Sequence, residues 1–214
     1  MFTNHLKNVL YSIAAFAVFS ANAGSYEDFF IAIKNDNAGN VSSLLARGFD
    51  PNTRDPKGQT GLNIALLERS AKTTKLLLAQ PGIDVNLLND AGESPLMMAA
   101  LKGDTSAAQM LLERGAKVNQ PGWSALHYAA TGPDAGLVKL LLDRGAELNA
   151  GSPNGTTPLM MAAQYGTEDS VSLLLARGAD VNRRNEKDLR AVDFARMSGR
   201  EALVRKLESL STPK

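Results

Sequence analysis

The sequence predicts an all-α repeat solenoid made of stacked helix–turn–helix pairs. Three observations carry this. One string recurs four times: Thr60-Gly61-Leu62-Asn63-Ile64-Ala65-Leu66, Ser94-Pro95-Leu96-Met97-Met98-Ala99-Ala100, Ser124-Ala125-Leu126-His127-Tyr128-Ala129-Ala130 and Thr157-Pro158-Leu159-Met160-Met161-Ala162-Ala163. Its leucines, Leu62, Leu96, Leu126 and Leu159, are 34, 30 and 33 residues apart, the period of a solenoid unit. A second string of paired leucines, running toward a glycine, recurs five times, four of them after these strings: Leu44-Leu45, Leu77-Leu78, Leu111-Leu112, Leu141-Leu142 and Leu174-Leu175.

Each element of a unit has a local reason. Gly58, Gly92, Gly122 and Gly155 sit where a tight turn calls for positive φ. Two residues on, Thr or Ser suits an N-cap, and Pro95 and Pro158 suit the first helical position. Leu and the Ala pair then mark one face of a short first helix, and the small alanines allow a close neighbour. Gly103, Gly166 and Gly199 are expected to end that helix in a left-handed cap. Val41, Val138, Val171 and Val204 open the apolar face of a second helix, which Gly48, Gly115, Gly145 and Gly178 end. Asn52, Asn86, Asn119, Asn149 and Asn182 follow, each expected to bond its own local backbone.

Composition excludes several chemistries. The 214 residues are 44% hydrophobic and 21% charged, with only 6% aromatic, so the core is built from Ala, Leu, Val and Met. There is no Cys, which removes disulfides, thiolate nucleophiles and zinc-thiolate sites. The net charge of +1 points to no nucleic-acid partner. The basic surplus lies in residues 181–214, with nine basic and five acidic groups. Without interleaved aromatics it reads as a solvated end.

The start of the chain differs from the rest. Lys7 precedes an apolar run, Val9 to Phe19, and then Ala21-Asn22-Ala23. This order is that of a secretory signal peptide cleaved after Ala23. The run is too short to span a bilayer, which takes about 20 residues. A periplasmic or secreted mature chain beginning at Gly24 is expected, and no membrane role beyond export.

The pattern G-x-T-P-L-H-x-A-A…V-x-x-L-L-x-x-G-A-x-V-N resembles the ankyrin repeat, and an exported bacterial type. Gly155-Thr156-Thr157-Pro158-Leu159-Met160-Met161-Ala162-Ala163 and Leu174-Leu175-Ala176-Arg177-Gly178-Ala179-Asp180-Val181-Asn182 carry it most fully. The resemblance implies two antiparallel helices and a β-hairpin finger per unit, in a curved stack. It divides residues 24–214 into a single domain of about six units: an N-terminal cap at 26–54, then 55–88, 89–119, 120–151 and 152–184, and a C-terminal cap at 185–210. Phe29 and Val192 mark the two caps. Between Asn119 and Leu126 three residues are missing relative to the sister units, so that finger should be stunted.

No nucleophile–base pair, phosphate-binding glycine motif or metal-ligand cluster stands out, and no enzyme, cofactor or metal is expected. His127 falls at the family's structural histidine, whose ring bonds backbone of the neighbouring turn. The four methionines Met97, Met98, Met160 and Met161 read as core rather than as copper ligands.

What remains is the surface that the family uses for proteins: finger tips and the exposed side of the first helices. Mapped onto this chain, it gives Lys57, Gln59, Leu67 and Glu68, then Asp90, Glu93, Leu101 and Lys102. Trp123 and Thr131 follow, then Asn154, Thr156, Gln164 and Tyr165, and finally Lys187 and Leu189. Trp123 has two readings, an exposed anchor or a packed ring. The function expected is a non-enzymatic protein-binding module, a monomer in isolation, acting as an inhibitor or immunity protein or as partner of a periplasmic enzyme. The alternatives are an effector delivered to a host and, further off, an enzyme or metal carrier on a repeat scaffold.

Overall fold

Leucine-rich faces and glycine stops divide the chain into short helices that fall in pairs. The computed structural model describes residues 24–211; the leader at 1–23, read as a signal peptide, lies outside the described residues. The first pair is α1 (24–34) and α2 (Ala38–Ala46). Next come α3 (Gly61–Leu67) with α4 (Ala71–Leu78), and α5 (Pro95–Lys102) with α6 (Thr105–Glu113). Then α7 (Ala125–Thr131) pairs with α8 (Ala135–Asp143), α9 (Pro158–Tyr165) with α10 (Glu168–Ala176), and α11 (Ala191–Met197) with α12 (Glu201–Leu210). Inner helices α3, α5, α7, α9 and α11 pack in succession, and outer helices α2, α4, α6, α8 and α10 form a second row. Among the described residues no helix is long and apolar enough to cross a membrane.

The first helices start as their sequences dictate. Thr60, Ser94 and Thr157 accept from the backbone N–H three residues on, and Pro95 and Pro158 occupy the first turn. Leu62, Leu96, Leu126 and Leu159 are 1% exposed or less. Each such burial is worth about 1.5–3 kcal/mol. Ala99, Ala100, Ala129, Ala130, Ala162 and Ala163 are at most 1% exposed and form the seam between inner helices. Met97, Met98 and Met160 fill the same core. In α12, Leu203, Val204 and Leu207 face inward and Lys206 and Glu208 face out.

Two expectations about helix ends are corrected. Gly103 and Gly199 are left-handed, with φ of 65° and 68°, but Gly166 is extended at φ −81°, ψ 173°. Its glycine is required by space instead. A Cβ there would lie 2.2 Å from the Ala130 carbonyl oxygen and 2.9 Å from Ala162 Cα. The freed end of α9 is capped by Arg200, whose Nη1 donates to the carbonyls of Ala162, Ala163 and Gly166 at 2.9, 3.2 and 2.9 Å. Arg200 is therefore part of the stack and not of a solvated basic end.

The asparagines are the second correction. They do not close their own turns; they tie each unit to the next. Asn52 Nδ2 donates to the Gly82 carbonyl and its Oδ1 accepts from Asp84 N–H, both at 2.8 Å. Asn86 does the same with Gly115 and Lys117, and Asn119 with Gly145 and Glu147. Asn149 accepts from Asp180 N–H. Gly115 and Gly145, both left-handed at φ 86°, end α6 and α8 and present their carbonyls to the preceding unit.

The fingers are turns rather than β-hairpins. No strand forms among the described residues, and a single antiparallel bridge links Arg54 and Thr60. Only one residue separates each tip turn from the helix N-cap, too few for a ladder. The turns have a shared chemistry. Asp55, Asn89 and Asn185 each accept through Oδ1 from the backbone two and four residues ahead, and Ser152 Oγ accepts from Thr156 N–H. Gly58, Gly92 and Gly155 take φ of 70–77° within them. The unit missing three residues has no such turn: bends at 121–123 lead straight into Ser124.

Candidate functional site

The stunted finger leaves part of the inner-helix row uncovered. Trp123 ends this finger at the position that Gln59, Glu93, Thr156 and Leu189 hold in sister units. The Trp123 ring meets His127 edge-on, with centroids 5.3 Å apart and planes at 77°. It is half-buried, so it is both packed and presented.

His127 is fully buried in the base of this region. Its Nδ1 accepts from Ser124 N–H at 3.2 Å, and its Nε2–H donates to the Thr156 carbonyl at 2.9 Å. Both nitrogens are thus spent inside the stack, and burial pushes its pKa below the usual histidine value. Asn63, at the same position of its own unit, makes the equivalent bond to the Glu93 carbonyl.

A shallow cavity of about 210 Å³ opens beside Trp123. It is lined by Leu101 of α5, Trp123, the His127, Tyr128 and Thr131 side of α7, and Met161 of α9. Tyr128 donates its hydroxyl to Glu93 Oε1 at 2.7 Å. Asn89 Nδ2 donates to Glu93 Oε2 at 2.7 Å. Burial, with the Glu93 carboxylate beside it, pushes the Tyr128 pKa well up, so the phenol stays protonated.

The sequence-derived contact residues fall into groups. Leu101, Trp123 and Thr131 meet at the cavity, with Glu93 hydrogen-bonded to its Tyr128 wall. Tyr165 and Leu101 are exposed, 62% and 39%, and Leu67 and Gln164 are half-buried at inner-helix ends. Lys57, Glu68, Asp90, Asn154 and Lys187 are exposed, while Gln59, Lys102 and Leu189 are half-buried. Asp90 pairs with Arg54 at 3.3 Å. Thr156 is the exception and is corrected. It is 3% exposed, with its carbonyl taken by His127 and its hydroxyl accepting from Asn185. It holds the stack together and offers no contact surface.

Tyr128, Met161 and Met197 were missed. All three lie at inner-helix positions that read as core. Met197 is 60% exposed at the end of α11, in line with Leu67, Leu101, Thr131 and Gln164. The signal for Tyr128 was a polar-tipped ring where sister units carry Ile64, Met98 and Met161, beside a shortened finger.

Stacked helix pairs with tight-turn fingers and an aromatic-lined inner face define a helical-repeat scaffold. The family model for ankyrin repeats (3 copies) matches residues 29–121 and 116–185, and the chain belongs to the ankyrin-repeat family. It is similar to a chain in the solved complex of Bd0816, a predatory endopeptidase from Bdellovibrio bacteriovorus, with immunity protein Bd3460. The TM-score is 0.74 at 25% identity, covering 86% of this chain and 98% of that one. Ankyrin repeat and SAM domain-containing protein 6 of Rattus norvegicus is 37% identical over 144 residues, 67% of this chain and 13% of its own length. Transient receptor potential cation channel subfamily A member 1 of Homo sapiens is 28% identical over 162 residues, 71% of this chain and 14% of its own. The chain thus spans a small part of these curated relatives.

Proposed function

We propose that this chain is a non-enzymatic protein-binding module of the periplasm, an inhibitor or immunity protein that covers a protein partner with its inner-helix and finger face. The observation that carries the reading is the aromatic-lined cavity at the stunted finger. Binding energy concentrates in a few aromatic anchors, and here Trp123, Tyr128 and Tyr165 share the inner-helix and finger side of a hydrogen-bonded stack. A stack so cross-braced loses little entropy on association. His127, the one histidine of residues 24–211, has both nitrogens engaged and is no general base. The similarity to a chain from an endopeptidase–immunity complex favours the inhibitor role. The signal-like leader at 1–23 supports export. The test is capture of a partner from periplasmic extract, repeated with a Trp123→Ala, Tyr165→Ala double variant. Capture lost in the double variant, with peptidase activity in the captured fraction, is expected. Capture that depends instead on outer-helix residues such as Arg144 overturns the assignment.

A further inference from the structure

We infer that the cavity beside Trp123 receives a basic side chain of the partner, arginine in preference to lysine, with its cation at Glu93. The inference rests on the protein-binding reading and names the chemistry of its anchor. Glu93 is a half-buried carboxylate without a countercharge: each oxygen takes one hydrogen bond, from the Tyr128 phenol and the Asn89 amide, both neutral donors. Among the described residues no ion pair includes it. The finger cation Arg54 is spent on Asp90 and on the carbonyls of Gly58 and Leu88. Each Glu93 oxygen keeps a lone pair for a further donor.

The cavity supplies the rest of an arginine site. Trp123 and Tyr128 line the cavity with aromatic rings, the usual partners of a cation. Leu101 and Met161 offer apolar surface to the three-carbon stem. Glu93 and Trp123 occupy the same finger position in adjacent units, so the carboxylate and the indole are set one repeat apart along the inner face. A purely apolar occupant fits less well. It would strip water from Glu93 and give no hydrogen bond in return. A planar guanidinium has donors enough for the carboxylate while it stacks on a ring.

Trp123 is the only tryptophan of the chain, so its fluorescence reports this cavity alone. The experiment titrates the protein with N-acetyl-arginine amide, its neutral isostere N-acetyl-citrulline amide, and N-acetyl-leucine amide. Arginine amide should give a saturable change, with citrulline amide at least about fivefold weaker, the scale of one desolvated cation–π and charge-assisted contact. Glu93→Gln should bring arginine amide down to the citrulline value, and Arg144→Ala should change nothing. Added salt should weaken arginine amide and spare leucine amide, a readout that needs no variant. Leucine amide binding as tightly as arginine amide, an unchanged affinity in folded Glu93→Gln, or no saturable response to arginine amide would overturn the inference. None of these outcomes alters partner capture by the Trp123 and Tyr165 face, which tests the binding-module reading separately.

Discussion

The imidazole of His127 donates to the carbonyl oxygen of Thr156, 2.9 Å away and one unit further along the stack. The same ring forms the floor beneath Trp123. One side chain therefore joins the brace between two units to the wall of the candidate site.

Replacing His127 by Met, the residue at that position in two sister units, should remove this brace and lower stability by about 1–2 kcal/mol, the cost of a lost buried hydrogen bond. Met97 and Met160 show that the local N-cap survives, since their sulfurs accept from Ser94 and Thr157 N–H at 3.3 Å. Chemical denaturation of the two proteins side by side checks this.

The pH dependence has a defined sign. Burial holds His127 neutral in the folded state below its ordinary pKa. The unfolded chain therefore binds the extra proton first, and stability falls as pH drops below about 6.5, by at most about 1.4 kcal/mol per unit. Above that value His127 contributes no slope. The gap between thermal melts of the native protein and His127→Met should stay constant at neutral pH and narrow on the acid side.

Trp123→Ala combined with Tyr165→Ala should weaken partner binding by about tenfold or more. Arg114→Ala and Arg144→Ala on the outer row should leave affinity unchanged. Trp123 is half-buried, so its truncation should cost less than the about 3–5 kcal/mol of a fully buried ring. Binding isotherms run beside thermal melts separate the two effects.

Gly166→Ala should destabilise by about 3 kcal/mol, because its Cβ meets backbone of two inner helices. Gly178→Ala should cost about 1–2 kcal/mol, the strain of φ +87° in otherwise open space. Urea denaturation that ranked them in the opposite order would refute the close-approach account of Gly166.

Export is checked at the N-terminus. Mass spectrometry of the protein from a periplasmic fraction should give Gly24 as first residue. An intact Met1 in the cytoplasm alone would remove the periplasmic proposal.

Much of this was legible in the sequence because it depends on local rules. Thr60, Ser94 and Thr157 cap, Pro95 and Pro158 open their helices, and Gly58, Gly92 and Gly155 turn. The missing three residues announced the stunted finger. What stayed hidden depends on distances between units. Asn86 looks like a turn residue until Gly115 and Lys117 are seen 2.8–3.1 Å away. Gly166 looks like a helix stop, yet the Ala130 carbonyl is what excludes a side chain. Thr156 resembles its exposed finger neighbours, but His127 and Asn185 enclose it. Tyr128 and Met161 share the spacing of core residues and open to the surface only because the neighbouring finger is short.

The asparagines that follow the second helices brace in one direction. Asn52, Asn86, Asn119 and Asn149 each engage the unit that follows, as do Asn63 and His127. During synthesis each unit thus emerges with polar side chains waiting for a partner that has not yet been made. The newest unit is always the least complete, and the chain sets behind the ribosome like a zip closing toward its C-terminus. Once released, the two ends are unequal: peeling off the first unit takes Asn52 and Asp36 from the Gly82 carbonyl and the N–H groups of Asp84, Lys72 and Thr73, whereas peeling off the last takes Arg200 from the carbonyls of Ala162, Ala163 and Gly166.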